Sequence, residues 1–373
     1  MLDITNIYQE TRKFAKEFID PISSNLDKEC RFAEEVFEEL GKKGYFKLII
    51  PKEMGGLGGG IREDVEVVRA IAESNPSVGL CYMMHNVALS YLLKYGNDTI
   101  KEKIVKDIVE NNVFCALSGT EASSGVHMQN SSFTVDIEGN TATINGSKHM
   151  VTSGGFATWY MTIAPEKTGS DHIINWFVSK DTEGVSFEEN GWNGVGMRAN
   201  ASVPMHYKDV KVDVSHAVDA AKVETKPLKV DTLYFLLGLT GVYSGLCTSL
   251  FEAAKEHAIS RTYPDGRTLA DVDIVSDHLA KIYCYSASAV SLAHEAVQAY
   301  ENDSEDAFQK IISSRIVASE NAIDSSKYAM RVGGGKAYNR VGQIERMMRD
   351  SYAGQVMAPS VDVLKQMLAG TFK

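Results

Sequence analysis

The sequence predicts a multidomain α+β protein, with a helical N-terminal third, a middle region of short antiparallel strands and a helical C-terminal region. Three stretches of distinct hydrophobic rhythm predict it. From Asp3 to about Asn112 apolar residues recur at helical spacing, as in Val36, Phe37 and Leu40 and again in Val67, Val68 and Ile71. From Val113 to Val212 the period falls to two, and the runs are broken by Gly-Asn, Gly-Ser and Glu-Gly turn signals, which reads as a small barrel or sandwich. Helical spacing then returns in three long runs, Leu228 to Thr262, Asp273 to Tyr300 and Ser304 to Val332, long enough to form a bundle. The expected domains are 1–112, 113–222 and 223–373, with no internal repeat or low-complexity segment.

Within the strand region, Ser131 to Asn145 alternates around the turn pair Gly139-Asn140. The stretch Asn145-Gly-Ser-Lys-His-Met-Val-Thr-Ser-Gly-Gly155, followed by Phe-Ala-Thr-Trp-Tyr-Met, then carries the pattern to a strand end. Thr152 sits where a half-buried sheet stops and a hydroxyl can face a ligand. A strand-end threonine that satisfies its local backbone is the competing reading.

Composition narrows the function classes. A chain of 373 residues with 44% hydrophobic content can bury a substantial core, and no run was expected to span a membrane. A formal charge of −11 and the lack of a basic, aromatic-rich stripe argue against nucleic-acid binding. The start Met1-Leu-Asp-Ile-Thr has neither the basic residues nor the apolar core of a signal peptide, so a cytoplasmic location is expected. Cys30, Cys81, Cys115, Cys247 and Cys284 are widely spaced, with no Cys-x-x-Cys pair and no His or Cys cluster at metal-ligand spacing. They read as buried thiols, and no metal is expected.

Five ordered blocks resemble the acyl-CoA dehydrogenase family of flavoproteins. Asn145 to Met161 resembles the family's flavin-contacting strand, and Pro51 to Gly58 its N-terminal Gly-Gly-Leu-Gly turn. Ala116 to Gly125 resembles its flavin loop. Val195-Gly-Met-Arg-Ala-Asn200 followed by Tyr207 to Val212, and Val332 to Tyr338 followed by Ile344 to Asp350, resemble two further family blocks. The resemblance implies a helical domain, a β domain and a C-terminal four-helix bundle. It also implies flavin adenine dinucleotide (FAD) as cofactor, an acyl-CoA thioester as substrate, electron-transferring flavoprotein as partner, and a homotetramer or at least a dimer.

Site residues follow from the same matches. Thr152 matches the hydroxyl that bonds the flavin's hydride-accepting nitrogen, with Met150 and Val151 beside it; Met150 stands where the family usually has Trp or Phe. Leu117, Gly119 and Thr120 match the loop whose backbone meets the flavin's pyrimidine end. Arg261 matches an arginine that reaches the cofactor pyrophosphate across a subunit interface. Gly334 and Gly335 match a close approach to the adenosine portion, with Arg331 where the family often has Gln. Ser360 completes the implied cofactor contacts. His85, Tyr234, Phe235 and Ala358 match positions at the substrate pocket.

The departures bear on activity. Ala358 occupies the position of the family's usual catalytic Glu, and the alternative stretch Leu233 to Gly238 contains no acid. Leu233 and Leu236 replace polar coenzyme A contacts, and Val126 replaces a serine. Abstraction of an α-proton beside a thioester needs a placed base, worth ~10²- to 10⁴-fold. Glu121, His127, His149 and Tyr352 are replacement candidates near the expected ligand. His85 could serve too, or be a packing histidine. Three functions stay open: a dehydrogenase with a displaced base, a flavin-dependent hydroxylase of the same fold that needs no α-proton removed, and a non-catalytic flavin-binding or assembly subunit. The apolar residues Leu236, Leu239, Val242 and Leu246 are expected to need a second subunit to cover them.

Overall fold

The computed structural model describes residues 2–122, 131–166, 172–189, 191–223, 229–340 and 342–372. Val126 and His127 lie outside the described residues. The N-terminal helices are α1 (Ile7–Phe18), α2 (Ser23–Glu29), α3 (Glu34–Lys43), α4 (Ile61–Ala72), α5 (Pro76–Tyr95) and α6 (Asp98–Asn111). Helix α5 starts where Asn75 places its side-chain oxygen on the backbone N–H groups of Ser77 and Val78, with Pro76 at the first helical position. It is buried along almost its whole length, as expected of a helix apolar on every side.

The β region holds β1 (Cys115–Ser118), β2 (Thr134–Glu138), β3 (Thr141–Val151), β4 (Trp159–Pro165), β5 (Ile173–Ser179), β6 (Val185–Phe187), β7 (Val203–Asp213) and β8 (Ala217–Val218). They form two sheets, ordered β1-β4-β5-β8 and β2-β3-β7-β6. The expected Gly139-Asn140 turn joins β2 to β3, with Glu138 opposite Thr141 and Gly139 at φ 59°. One pairing departs from the antiparallel expectation: β1 runs parallel to β4. Between these two strands the chain passes through β2 and β3 of the other sheet, so it re-enters the first sheet in the direction in which it left.

The C-terminal helices are α7 (Val230–Ser260), α8 (Asp273–Glu301), α9 (Ala307–Ala337), α10 (Gln343–Val356) and α11 (Val361–Gly370). Helices α7 to α10 make the bundle, and the short α11 lies on α9 and α10. Helix α9 breaks at Gly334, whose φ of 54° and ψ of −143° suit only glycine.

Helix α7 corrects two expectations. By length and composition it could cross a membrane, with a mean hydropathy of 1.4 over its most apolar window, yet 89% of that window is buried within the chain. Leu236, Leu239, Val242 and Leu246 are at most 1% exposed, so they are covered inside this chain and ask for no second subunit. The sequence reading took α7 for a bundle helix alone, whereas it also packs on α4 and α5. Small residues permit that approach. A Cβ at Gly245 would lie 2.4 Å from the Arg69 carbonyl oxygen, and one at Gly238 would lie 3.0 Å from the Met83 sulfur.

Asp64 of α4 is fully buried, and its Oδ1 accepts from Asn86 Nδ2 of α5 at 2.6 Å. Asp64 Oδ2 and Asn86 Oδ1 have no other partner. Burial pushes this carboxyl up to about 8. An unfolded aspartate ionises near pH ~4. Between those values the unfolded chain releases a proton that the folded protein keeps, so stability falls as pH rises through that window and levels off above it. Asp64→Asn keeps the shape and removes the titration. Its melting temperature relative to the wild type should therefore climb from pH 4 to pH 8; a difference constant with pH, followed by circular dichroism, would contradict a neutral Asp64.

Candidate functional site

The end of β3 is an irregular, heavily bonded turn. Opposite β7, Lys148 faces Met205 and Val151 faces Val203, so three steps along β3 match two along β7, and a bulge falls at His149 and Met150. Met150 and Ser153 take φ values of 52° and 61°, sparsely populated for residues with a side chain. The bulge cancels simple alternation here. Lys148 and Val151 are buried, His149 is half-buried, and Met150 is 65% exposed as an apolar side chain held out at the strand end.

Surrounding hydrogen bonds hold this backbone. Ser153 N donates to the Asn200 carbonyl at 2.9 Å and Gly154 N to the Ala201 carbonyl at 3.0 Å. Tyr160 Oη donates to the Ser153 carbonyl at 2.8 Å and accepts from Gly155 N at 2.9 Å. A Cβ on Gly154 would stand 2.4 Å from Val203 Cγ2, so this close crossing needs glycine. Within the turn Thr152 is 6% exposed, and its Oγ1 lies 3.1 Å from Ser202 Oγ. Ser202 was missed in the sequence, where it carries no signal beyond polarity two residues past the block that ends at Asn200.

The β1 loop joins this turn. His149 N donates to the Thr120 carbonyl at 2.7 Å, which sets the loop of Leu117, Gly119 and Thr120 alongside Met150, Val151 and Thr152. These six expected residues therefore come together. Glu121 follows directly and is 5% exposed. It takes Lys148 Nζ at 2.7 Å, Ser131 Oγ at 2.5 Å and Ser132 N at 2.9 Å. Burial works to raise its carboxyl, but Lys148 and the serines outweigh that and hold it below the usual carboxylate range. Glu121 fastens the loop to β3 and is not available as a base.

The remaining expected residues lie elsewhere. Arg261 ends α7, exposed, with its guanidinium 5.8 Å from the Tyr263 ring centre. Arg331, Gly334 and Gly335 are exposed in the last turns of α9, and Ser360 caps α11 through its hydroxyl, which accepts from Val363 N at 3.4 Å. Tyr234 is buried and Phe235 half-buried in the first turns of α7; Ala358 and Tyr352 are exposed. Asp231, in the same first turn of α7, was missed; burial raises its carboxyl, and one oxygen has no partner.

His85 is a correction. It is fully buried, Nδ1 accepts from Cys115 N at 3.0 Å, and Nε2 lies 3.0 Å from the Phe46 carbonyl. Accepting at Nδ1 fixes the neutral tautomer, whose Nε2–H donates to Phe46. Burial lowers its pKa to about 4. His85 fastens α5 to the start of β1, fully buried and with both ring nitrogens engaged by backbone groups.

Removing one partner of a buried pair leaves the other charge uncompensated. Glu121→Gln should therefore cost about 3–5 kcal/mol, read by urea unfolding. A loss under ~1 kcal/mol would class the pair with exposed ones.

Comparisons with known proteins agree along the whole chain. Three models of one family match in order: acyl-CoA dehydrogenase N-terminal domain over residues 3–112, middle domain over 116–210 and C-terminal domain over 237–370. The chain is 24% identical over 378 residues to a short-chain specific acyl-CoA dehydrogenase of Clostridium acetobutylicum, covering 98% of this chain and 96% of that protein. It is 26% identical over 346 residues to a 3-(aryl)acrylate reductase of Clostridium sporogenes, covering 91% and 90%. Its fold superposes on butyryl-CoA dehydrogenase from Megasphaera elsdenii with a TM-score of 0.90 at 21% identity, over 100% of this chain and 99% of that one.

Proposed function

The chain belongs to the acyl-CoA dehydrogenase family, and on that premise we propose that it is an FAD-dependent oxidoreductase acting on the α,β-carbons of an acyl thioester. The observation that carries this reading is the pinned strand end, where the Thr152 hydroxyl, the exposed Met150 and the Leu117–Thr120 loop meet. When bound, FAD supplies the hydride acceptor. This chain's residues supply the rest: the β1 loop presents backbone groups, Thr152 a hydroxyl at a fixed point, and Met150 an apolar surface for a flat ring to cover. Arg261, Arg331, Gly334, Gly335 and Ser360 are the residues that would hold the remainder of the cofactor.

Within that reading the α-proton lacks its usual acceptor. Ala358 carries no ionisable group, Glu121 is committed to Lys148, and both nitrogens of His85 are engaged. We therefore propose weak dehydrogenation of straight-chain acyl-CoA. The same lack favours a second reading, a flavin-dependent hydroxylase, because that reaction removes no α-proton. Electron-transferring flavoprotein is the proposed acceptor for the dehydrogenase. The relative named for reducing a 3-(aryl)acrylate makes an alkene a substrate to include in any screen.

Purified protein should take up FAD and turn yellow; colourless protein with no uptake by calorimetry would remove the whole assignment. In anaerobic stopped flow, butyryl-CoA and longer thioesters should bleach the flavin slowly, and Ala358→Glu should speed bleaching by at least ~10-fold if a missing base is the cause. Rapid bleaching by the unmodified protein would mean that a base operates. Oxygen consumption with reduced flavin separates the hydroxylase.

A homotetramer, or at least a dimer, is also proposed. With α7 covered from within, support comes from Arg261, exposed at the end of that helix, and from large apolar side chains such as Ile259, Ile274 and Tyr283, each more than half exposed. Light scattering of the FAD-loaded protein should give a multiple of the 40.9 kDa chain; a stable loaded monomer would refute it.

A further inference from the structure

Resting on the FAD reading above, we propose that Ser202 is a positioning residue: its hydroxyl sets the direction in which the Thr152 hydroxyl presents its proton to the flavin. The two oxygens are 3.1 Å apart, and each residue is 6% exposed. A hydroxyl has one proton and two acceptor sites, so in such a pair one member donates and the other keeps its own proton for a different partner. Among the described residues, Thr152 is the only hydrogen-bond partner of Ser202 Oγ. When Ser202 donates, the Thr152 proton is left to point out of the turn toward a ligand. When a ligand donates to Thr152, the pair can reverse, and neither hydroxyl is left unsatisfied in the protein interior.

The placement of Ser202 is as tightly determined as that of Thr152. Its backbone N–H donates to Asn200 Oδ1 at 3.2 Å. The Asn200 carbonyl receives Ser153 N at 2.9 Å and the Cys81 thiol at 3.6 Å. Ala201 takes a φ of 45°, a strained value for alanine, and its carbonyl accepts from both Gly154 N and Val203 N. Two turns with unusual backbones, one around Ser153 and one around Ala201, are thus bonded to each other. The hydroxyl pair sits at their junction.

If Ser202 only steadied the turn, its loss would change stability and leave the flavin's electronic equilibrium untouched. A residue that directs the Thr152 proton has a different signature. Its hydroxyl supports Thr152 as a donor while the hydride-accepting nitrogen is oxidised and accepts, and receives the Thr152 proton once that nitrogen carries hydrogen and donates, so its loss weighs unequally on the two flavin states. The test uses full-length protein loaded with FAD, in wild-type, Ser202→Ala, Ser202→Thr, Thr152→Ala and double Ser202→Ala/Thr152→Ala forms. Wild-type protein that takes up no FAD would overturn the cofactor reading itself, before Ser202 is reached. With FAD bound, Ser202→Ala should shift the two-electron equilibrium by about tenfold, ~30 mV in midpoint potential, with FAD affinity changed less than ~threefold. Ser202→Thr, which restores a hydroxyl, should return the potential toward wild type, and Ser202→Ala should add nothing in the Thr152→Ala background. An unchanged potential in Ser202→Ala, or the same shift with Thr152 already removed, would overturn the proposal while leaving FAD binding in place.

Discussion

The arrangement of the whole molecule depends on helix α7 being apolar on every side and therefore needing cover on every side. Helices α8 and α9 cover part of it from within the bundle, and α4 and α5 of the N-terminal domain cover the rest. At ~25 cal/mol per Å² of apolar surface, a 31-residue helix enclosed in this way is a dominant contribution to holding two domains together. Gly238, Gly241 and Gly245 set how closely the partners approach, since a Cβ at any of them would press on α4 or α5. The β region packs on this unit through α5 and β1 and is tied to α10 by hydrogen bonds. Arg349 of α10 bonds both carboxylate oxygens of Asp27 in α2 and the Val195 carbonyl, and Asp350 takes the Met197 N–H at 2.6 Å. Burial lifts the Asp350 carboxyl to about 6, and the Met197 N–H and Arg346 oppose that rise.

That frame positions the strand end from two sides. The β7 entry, which includes Ala199 to Ser202, is held by α5 through Ser77 and Cys81 and in turn holds the Thr152 turn. The Lys148–Glu121 pair fixes the β1 loop to the same strand. Residues with unfavourable φ at Met150, Ser153 and Ala201 persist because several hydrogen bonds around each specify the same geometry. A hydroxyl in such a setting does not have to be ordered when a ligand arrives, and this pre-ordering is what a donor at a redox ring requires.

The parts legible in the sequence were those governed by local rules. Period-two alternation around Gly139-Asn140 gave the β2–β3 hairpin, and helical spacing gave α8 within one residue of its observed end. What was not legible depended on contacts distant in sequence. The parallel β1–β4 pairing follows from the chain's passage between two sheets. The burial of Leu236, Leu239, Val242 and Leu246 follows from α4 and α5 arriving from more than a hundred residues away. His85 could be a ligand-facing imidazole or a packing one from its sequence alone, and the Cys115 N–H and Phe46 carbonyl decided it. Alternation also failed at His149 and Met150, because a bulge changes which side chain faces out and leaves no mark in the residue pattern.

The acid–base inventory of this interior is informative for the same reason. A carboxylate serves as a base only if it is ionised and unoccupied, and three of the buried acids, Glu121, Asp64 and Asp350, each fail one condition. Glu121 is ionised but occupied by Lys148 and two serines. Asp64, facing Asn86 with no cation beside it, is held toward its neutral form. Asp350 is spent on the Met197 backbone, and burial also raises the carboxyl of Asp231 in the first turn of α7. At the strand end Glu121 therefore supplies no base, whereas a hydroxyl and an apolar side chain are held in place there. A substrate whose transformation needs chiefly an oriented electron acceptor suits such an interior better than one whose rate depends on a strong base.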